Sequence, residues 1–99
     1  MSDKELTELL KADPQAGLTA VIKKYTPFVW TIATGKLSGV CPKEDIEETV
    51  SDVFAAFYNN GRKNGFEFLS VKAYLTVLAK RRFINLFHSR TRREEPLSI

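Results

Sequence analysis

Histidine and cysteine are nearly absent from this chain, which carries His88 and Cys41 and no others. Two such residues cannot build a zinc site, and a lone cysteine excludes an internal disulfide. Cys41 is read as a bystander near a helix start. With one histidine, no cysteine partner, no glycine-rich phosphate loop and no metal-ligand spacing, there is no catalytic constellation. Neither an enzyme nor a cofactor is expected. Long apolar runs are missing too: none approaches the ~20 residues needed to cross a bilayer, and no signal-peptide core opens the chain. The expectation is a soluble, cytoplasmic protein. Glycine and proline fall at a few punctuation points, nothing recurs at a repeat period, and no period-two strand pattern appears.

What remains is helix-forming sequence. Ninety-nine residues suit one domain with a modest core. Ser2-Asp3-Lys4-Glu5 reads as a capping box, followed by a short stripe of Leu6, Leu9 and Leu10. Asp13-Pro14 starts a second helix, with Asp13 as N-cap and Pro14 in the first helical position. Leu18, Val21, Ile22, Tyr25, Phe28, Val29 and Ile32 follow at spacings of three and four. Pro27 interrupts that helix, so a kink or a restart is expected there. Ser38-Gly39 should stop it near Leu37.

Pro42 opens a third helix with Ile46, Val50, Val53, Phe54 and Phe57 on one side and Glu44, Asp45, Glu48 and Asp52 on the other. Asn59-Asn60-Gly61 should terminate it, and residues 61–69 form a loop. Ser70 can cap a fourth helix running to about Thr91. Its first half (Val71, Tyr74, Leu75, Val77, Leu78, Ala79) is apolar around more than one face and should pack on two sides. The fold class is therefore all-α, a compact bundle of about four helices whose last member is long and basic. Residues 1–12 form an N-terminal helix, 13–93 the main helical domain and 94–99 the start of a linker.

Charge is divided between the last two helices. The acids of the third helix read either as a solvated outer surface or as an interaction face. The second half of the fourth helix carries Lys80, Arg81, Arg82, His88, Arg90, Arg92 and Arg93, with no acid before Glu94. A helix C-terminus favours cations, but this excess is larger than capping needs and suits a polyanion. Phe66, Phe68 and Tyr74 lie just before the tract. Core packing explains any one of them; together with the cations they also make a platform for unstacked bases, at ~1–3 kcal/mol per stacked base.

Three segments carry a family resemblance. D-I-E-E-T-V-S-D-V-F, from Asp45 to Phe54, is similar to the D-A-E-D-L-V-Q-E-T-F segment in region 2 of the extracytoplasmic-function sigma factors. S-V-K-A-Y-L-T-V-L-A-K-R-R-F-I-N, from Ser70 to Asn85, resembles that family's F-R-A-W-L-x-x-I-A-R-N-x-x-I-D, again followed by a basic run. Tyr25-Thr-Pro-Phe-Val29 matches Y-x-P-x-V/L in the preceding helix. The likeness spans roughly Asp13 to Arg93. Each motif alone is weak; three in the right order and spacing are more specific.

The resemblance implies a transcription initiation factor domain. In that family the acidic helix docks on the clamp coiled coil of the polymerase beta-prime subunit, which carries core binding onto Asp45, Glu48, Ser51 and Asp52. The loop before the last helix, with that helix, captures the non-template strand of the promoter −10 element. This gives Asn64, Phe66, Lys72, Tyr74, Lys80, Arg81, Asn85, His88 and Arg90 candidate DNA roles. Regulation by an anti-sigma factor is implied in the same way.

Three departures stand out. Tyr74 replaces a common tryptophan, Arg81 a common asparagine, and Ser51-Asp52 the usual Gln-Glu. The promoter sequence therefore cannot be carried over. The family's second DNA-binding domain, which reads the −35 element, is not among these residues, and a longer protein is expected to carry it. Two alternatives stand beside this reading: a sigma-like module that binds polymerase without reading promoters, and a generic helical duplex-DNA binder. The gap from Asn59 to Ser70 is long for the turn of a helix-turn-helix.

Overall fold

The computed structural model describes residues 1–67 and 70–92. Expectations for Phe68, Arg93 and the 94–99 linker lie outside the described residues. The described residues form four helices: α1 (Asp3–Ala12), α2 (Pro14–Leu37), α3 (Lys43–Lys63) and α4 (Val71–Arg92). No strand occurs among the described residues. α2, α3 and α4 each pack on the other two, and α1 rests on α2 and α4.

The helix starts follow their caps. Ser2 Oγ accepts from the Glu5 amide at 3.2 Å while Glu5 Oε1 accepts from the Ser2 amide at 2.9 Å. Asp13 serves two helices: its amide donates to the Leu9 carbonyl, closing α1, and its carboxylate accepts from the Ala16 amide, opening α2. Between the two helices, Gly17 lies against Leu10, and a Cβ there would sit 2.7 Å from the Leu10 Cα. Any side chain at position 17 would force α1 and α2 apart.

Two expected interruptions fall differently. α2 runs unbroken through Pro27. Pro27 is exposed, so the carbonyl left without an amide partner can meet water, while buried Tyr25 and Val29 on either side hold the helix to the core. α3 does not stop at Gly61 but continues to Lys63, with Gly61 buried inside it. The stop comes at Gly65, with φ +69°, after which the Phe66 amide donates back to the Gly61 carbonyl at 2.7 Å. This six-to-one bond is the Schellman pattern, in which a left-handed residue satisfies the last carbonyls of a helix. Gly39, with φ +85°, follows the end of α2 as the sequence suggested.

The core is wholly apolar: among the described residues no polar or charged side chain is buried. Leu6 and Leu10 from α1, Val21, Val29, Ala33 and Leu37 from α2, Val53 and Phe57 from α3, and Val71, Leu75 and Ala79 from α4 are fully enclosed. α4 packs on two sides as expected, yet Val77 is not part of that packing and is 54% exposed.

One polar cluster ties three helices together at the core's edge. Asp3 accepts hydrogen bonds from the Tyr25 hydroxyl, from Ser70 Oγ at 3.1 Å and from the Lys72 amide at 3.1 Å. Burial pushes the Asp3 carboxyl upward, but these bonds and the nearby Lys24 charge outweigh it, leaving Asp3 below the usual 3.8. Burial, then the Asp3 partner, pushes the Tyr25 phenol up to about 12 from an ordinary 10.0. The neutral phenol is thus favoured by the fold. Its contribution is complete below pH 10 and is lost as the pH rises toward 12. Absorbance titration should show one tyrosine ionising about two pH units late. A normal midpoint for all three tyrosines would contradict the Asp3–Tyr25 contact.

Candidate protein and nucleic-acid interfaces

α3 turns an acidic face to solvent. Glu44, Glu48, Ser51 and Asp52 are exposed, and their spacing of three and four residues puts them on one side of the helix. Ile46, Val50 and Phe54 are buried behind them. The first-turn acids Glu44 and Asp45 also complement the positive end of the α3 dipole.

Asp45 departs from the expected pattern. It is half-buried and turned toward α4, where the Arg90 guanidinium forms an ion pair with its carboxylate. A residue expected at a protein interface and one expected at DNA therefore occupy each other. The physical reason is tertiary: spacing sets Asp45 on the same side of α3 as Glu48 and Asp52, but at the first turn of the helix, where Arg90 from the C-terminal end of α4 reaches it. The two charged surfaces are not fully opposed; they meet at this pair.

The basic face of α4 consists of Lys80, Arg81, Asn85 and His88, all exposed and within reach along one side of the helix. Ile84, 41% exposed, lies among them. α4 carries no acidic residue from Val71 to Arg92, so this surface has no internal neutralisation. Lys80 and Ile84 also border a groove of about 320 Å³ whose far wall is Ile32, Gly35 and Lys36 of α2, with Phe83 at its base. The Lys36 ammonium lies over the Phe87 ring at 4.5 Å, so the cation is held beside the apolar wall.

The residues before and at the start of α4 behave differently from a free stacking platform. Phe66 is only 5% exposed and its ring lies beside Tyr58, with centroids 6.1 Å apart. Its expected role as a base-stacking surface is corrected: the left-handed turn that ends α3 folds the ring into the core. Asn64 caps α3 and its Oδ1 accepts from the Phe66 amide at 3.1 Å, so it shapes that turn while remaining exposed. Tyr74 is half-buried with its ring tilted against Phe57, at 6.0 Å between centroids. Lys72 is exposed, with its ammonium over the Phe28 ring at 4.9 Å.

The structure thus gathers Glu48, Ser51 and Asp52 on one face, and Lys80, Arg81, Asn85 and His88 on another. Asp45 and Arg90 are paired between the two faces, and Phe66 is withdrawn. Sequence reasoning missed Asp3, Lys36 and the exposed Lys11–Glu67 pair at 3.2 Å. Asp3 was legible only as a first-turn acid in a capping box. Its links to Tyr25, Ser70 and Lys72 depend on how α1 lies across the bundle. Searches against family models, curated proteins and solved structures give no significant match. Among the described residues, no group of His, Cys, Asp or Glu could hold a metal ion, and no helix is long and apolar enough to cross a membrane.

Proposed function

We propose that the chain is a cytoplasmic transcription initiation factor domain that binds core RNA polymerase and captures the non-template strand of the promoter −10 element. The observation that carries this reading is the pairing of an exposed acidic face on α3 with an exposed basic face on α4. Both stand at the segments that resemble region 2 of the extracytoplasmic-function sigma factors. Glu48, Ser51 and Asp52 would meet the beta-prime clamp coiled coil, their negative charge calling for cations on that partner, with Ile46, Val50 and Phe54 holding the helix from behind. Lys80, Arg81, Asn85 and His88 would follow the strand, with Lys72 and Tyr74 at its start.

The chain itself breaks no bond. Melting becomes a matter of trapping, because unstacking a base step costs a few kcal/mol and stacking plus phosphate contacts offset it. An anti-sigma partner belongs to the same proposal, by resemblance alone.

The test is binding to the isolated clamp coiled coil. Reversing charge in the double variant Glu48→Lys, Asp52→Lys should weaken binding by about a hundredfold, since unlike pairs become like ones. Undiminished binding sinks the docking claim. A second reading, a sigma-like module that binds polymerase without reading promoters, is favoured by the groove between Ile32, Lys36, Lys80 and Ile84, whose apolar walls suit a protein better than a phosphate backbone. That reading keeps clamp binding but shows no preference for single-stranded −10 DNA.

A further inference from the structure

Resting on the reading above, we propose that Asp3 is a positioning residue for strand capture, fixing the first turn of α4 so that Lys72 and Tyr74 meet the strand in one geometry. The first amides of a helix have no partner within it. In α4 two of them are provided for from different sources. The Ala73 amide donates to Ser70 Oγ at 3.2 Å, an ordinary cap, while the Lys72 amide donates to Asp3, some seventy residues away in sequence. Ser70 itself donates its proton to Asp3, so both its hydrogen-bonding capacities are committed. Asp3 also receives the Tyr25 hydroxyl from α2.

One carboxylate therefore locks α1, α2 and the start of α4 at a single point. Its charge also lies at the positive end of the α4 dipole, where it is favoured. At the other end of α1, Lys11 reaches Glu67 in the segment leading to α4. That pair is exposed and weak alone, yet it lies on the same segment, so α1 spans the approach to α4 from both ends.

This role differs from a general contribution to stability. Leu6 and Leu10 already hold α1 to the core, and Val71 and Leu75 hold α4. What Asp3 adds is the placement of the first turn, whose side chains Lys72 and Tyr74 are among the candidate strand contacts. Asp3→Asn keeps the shape but leaves one uncharged acceptor oxygen for three donors, the Tyr25 and Ser70 hydroxyls and the Lys72 amide, and sets an amide NH2 against one side of the cluster.

The experiment compares the 99-residue chain with Asp3→Asn and with Val53→Ala, a core truncation in α3, a helix that does not pack on α1, at a temperature where circular dichroism finds all three folded. The readouts are anisotropy of a fluorescent single-stranded −10-like oligonucleotide and amide hydrogen exchange. Asp3→Asn should bind about tenfold or more weakly, consistent with losing hydrogen bonds to a charged group. It should also exchange faster at the Lys72 and Ala73 amides than Val53→Ala does. Val53→Ala should bind as the unaltered chain does. Unchanged binding by Asp3→Asn, or an equal loss in Val53→Ala, overturns the positioning role. An unaltered chain that ignores the oligonucleotide overturns the functional reading itself, which tells the two failures apart.

Discussion

Phe57→Ala should cost about 3–5 kcal/mol of folding stability, the range for removing a fully enclosed phenylalanine ring. Phe57 has no exposed surface and lies where α3 meets α4, against Tyr74 and within a core in which, among the described residues, no polar or charged side chain is buried. A domain of this kind is stable by only about 5–15 kcal/mol, so the loss should leave a measurable unfolded fraction at growth temperature. Urea unfolding followed by circular dichroism would read it as a lowered midpoint with an unchanged slope. A loss under about 1 kcal/mol would mean that the α3–α4 contact is not where the fold is held. Because Tyr74 leans on Phe57, the variant should also loosen the start of α4. Its DNA binding is therefore informative only well below its unfolding midpoint.

The second large effect belongs to the basic face. The unaltered chain should prefer a single-stranded −10-like oligonucleotide to the matching duplex, and Lys80→Ala with Arg81→Ala should weaken that binding by at least about tenfold. Both residues are exposed on the face that has no acid, so each is available to a phosphate. Each phosphate contact to a single strand contributes about 0.7 to the slope of log affinity against log salt, so the double variant should flatten that slope by about 1.4. Two outcomes would count against strand capture. A preference for duplex would favour the generic DNA-binder reading, and an unchanged slope would mean that these cations never reach phosphates. Arg90 offers an internal comparison: it is committed to Asp45, so its removal should change the slope less than removal of Arg81.

Much of the fold was legible because helical periodicity and capping are local. Ser2, Asp13 and the Ser38-Gly39 stop each act within a few residues, and each takes the role that its sequence context suggested. Gly61 was misleading because glycine both ends helices and allows close packing. Here it is a buried interior position, and Gly65 supplies the left-handed turn. The candidate faces were partly legible for the same reason. Glu48, Ser51 and Asp52, like Lys80, Arg81, Asn85 and His88, are set on one side of a helix by spacing alone. Asp45, Phe66 and Asp3 were not legible, since their environments depend on which helix lies beside them. No periodicity within α3 could reveal that Arg90 waits forty-five residues later.

The single residue between α1 and α2 has a mechanical meaning. Asp13 closes one helix and opens the next, so the joint has no slack residue in which to absorb rotation. The azimuth of α1 about its own axis is thereby coupled to α2, and the close approach at Gly17 sets how near the two axes can come. An inserted residue at this joint would turn α1 by about 100° and swing Leu6, Leu10 and Asp3 away from the bundle together. The corner at Asp13 therefore works as a keyed coupling: it sets the phase of α1 and so decides whether Asp3 arrives at the start of α4 at all.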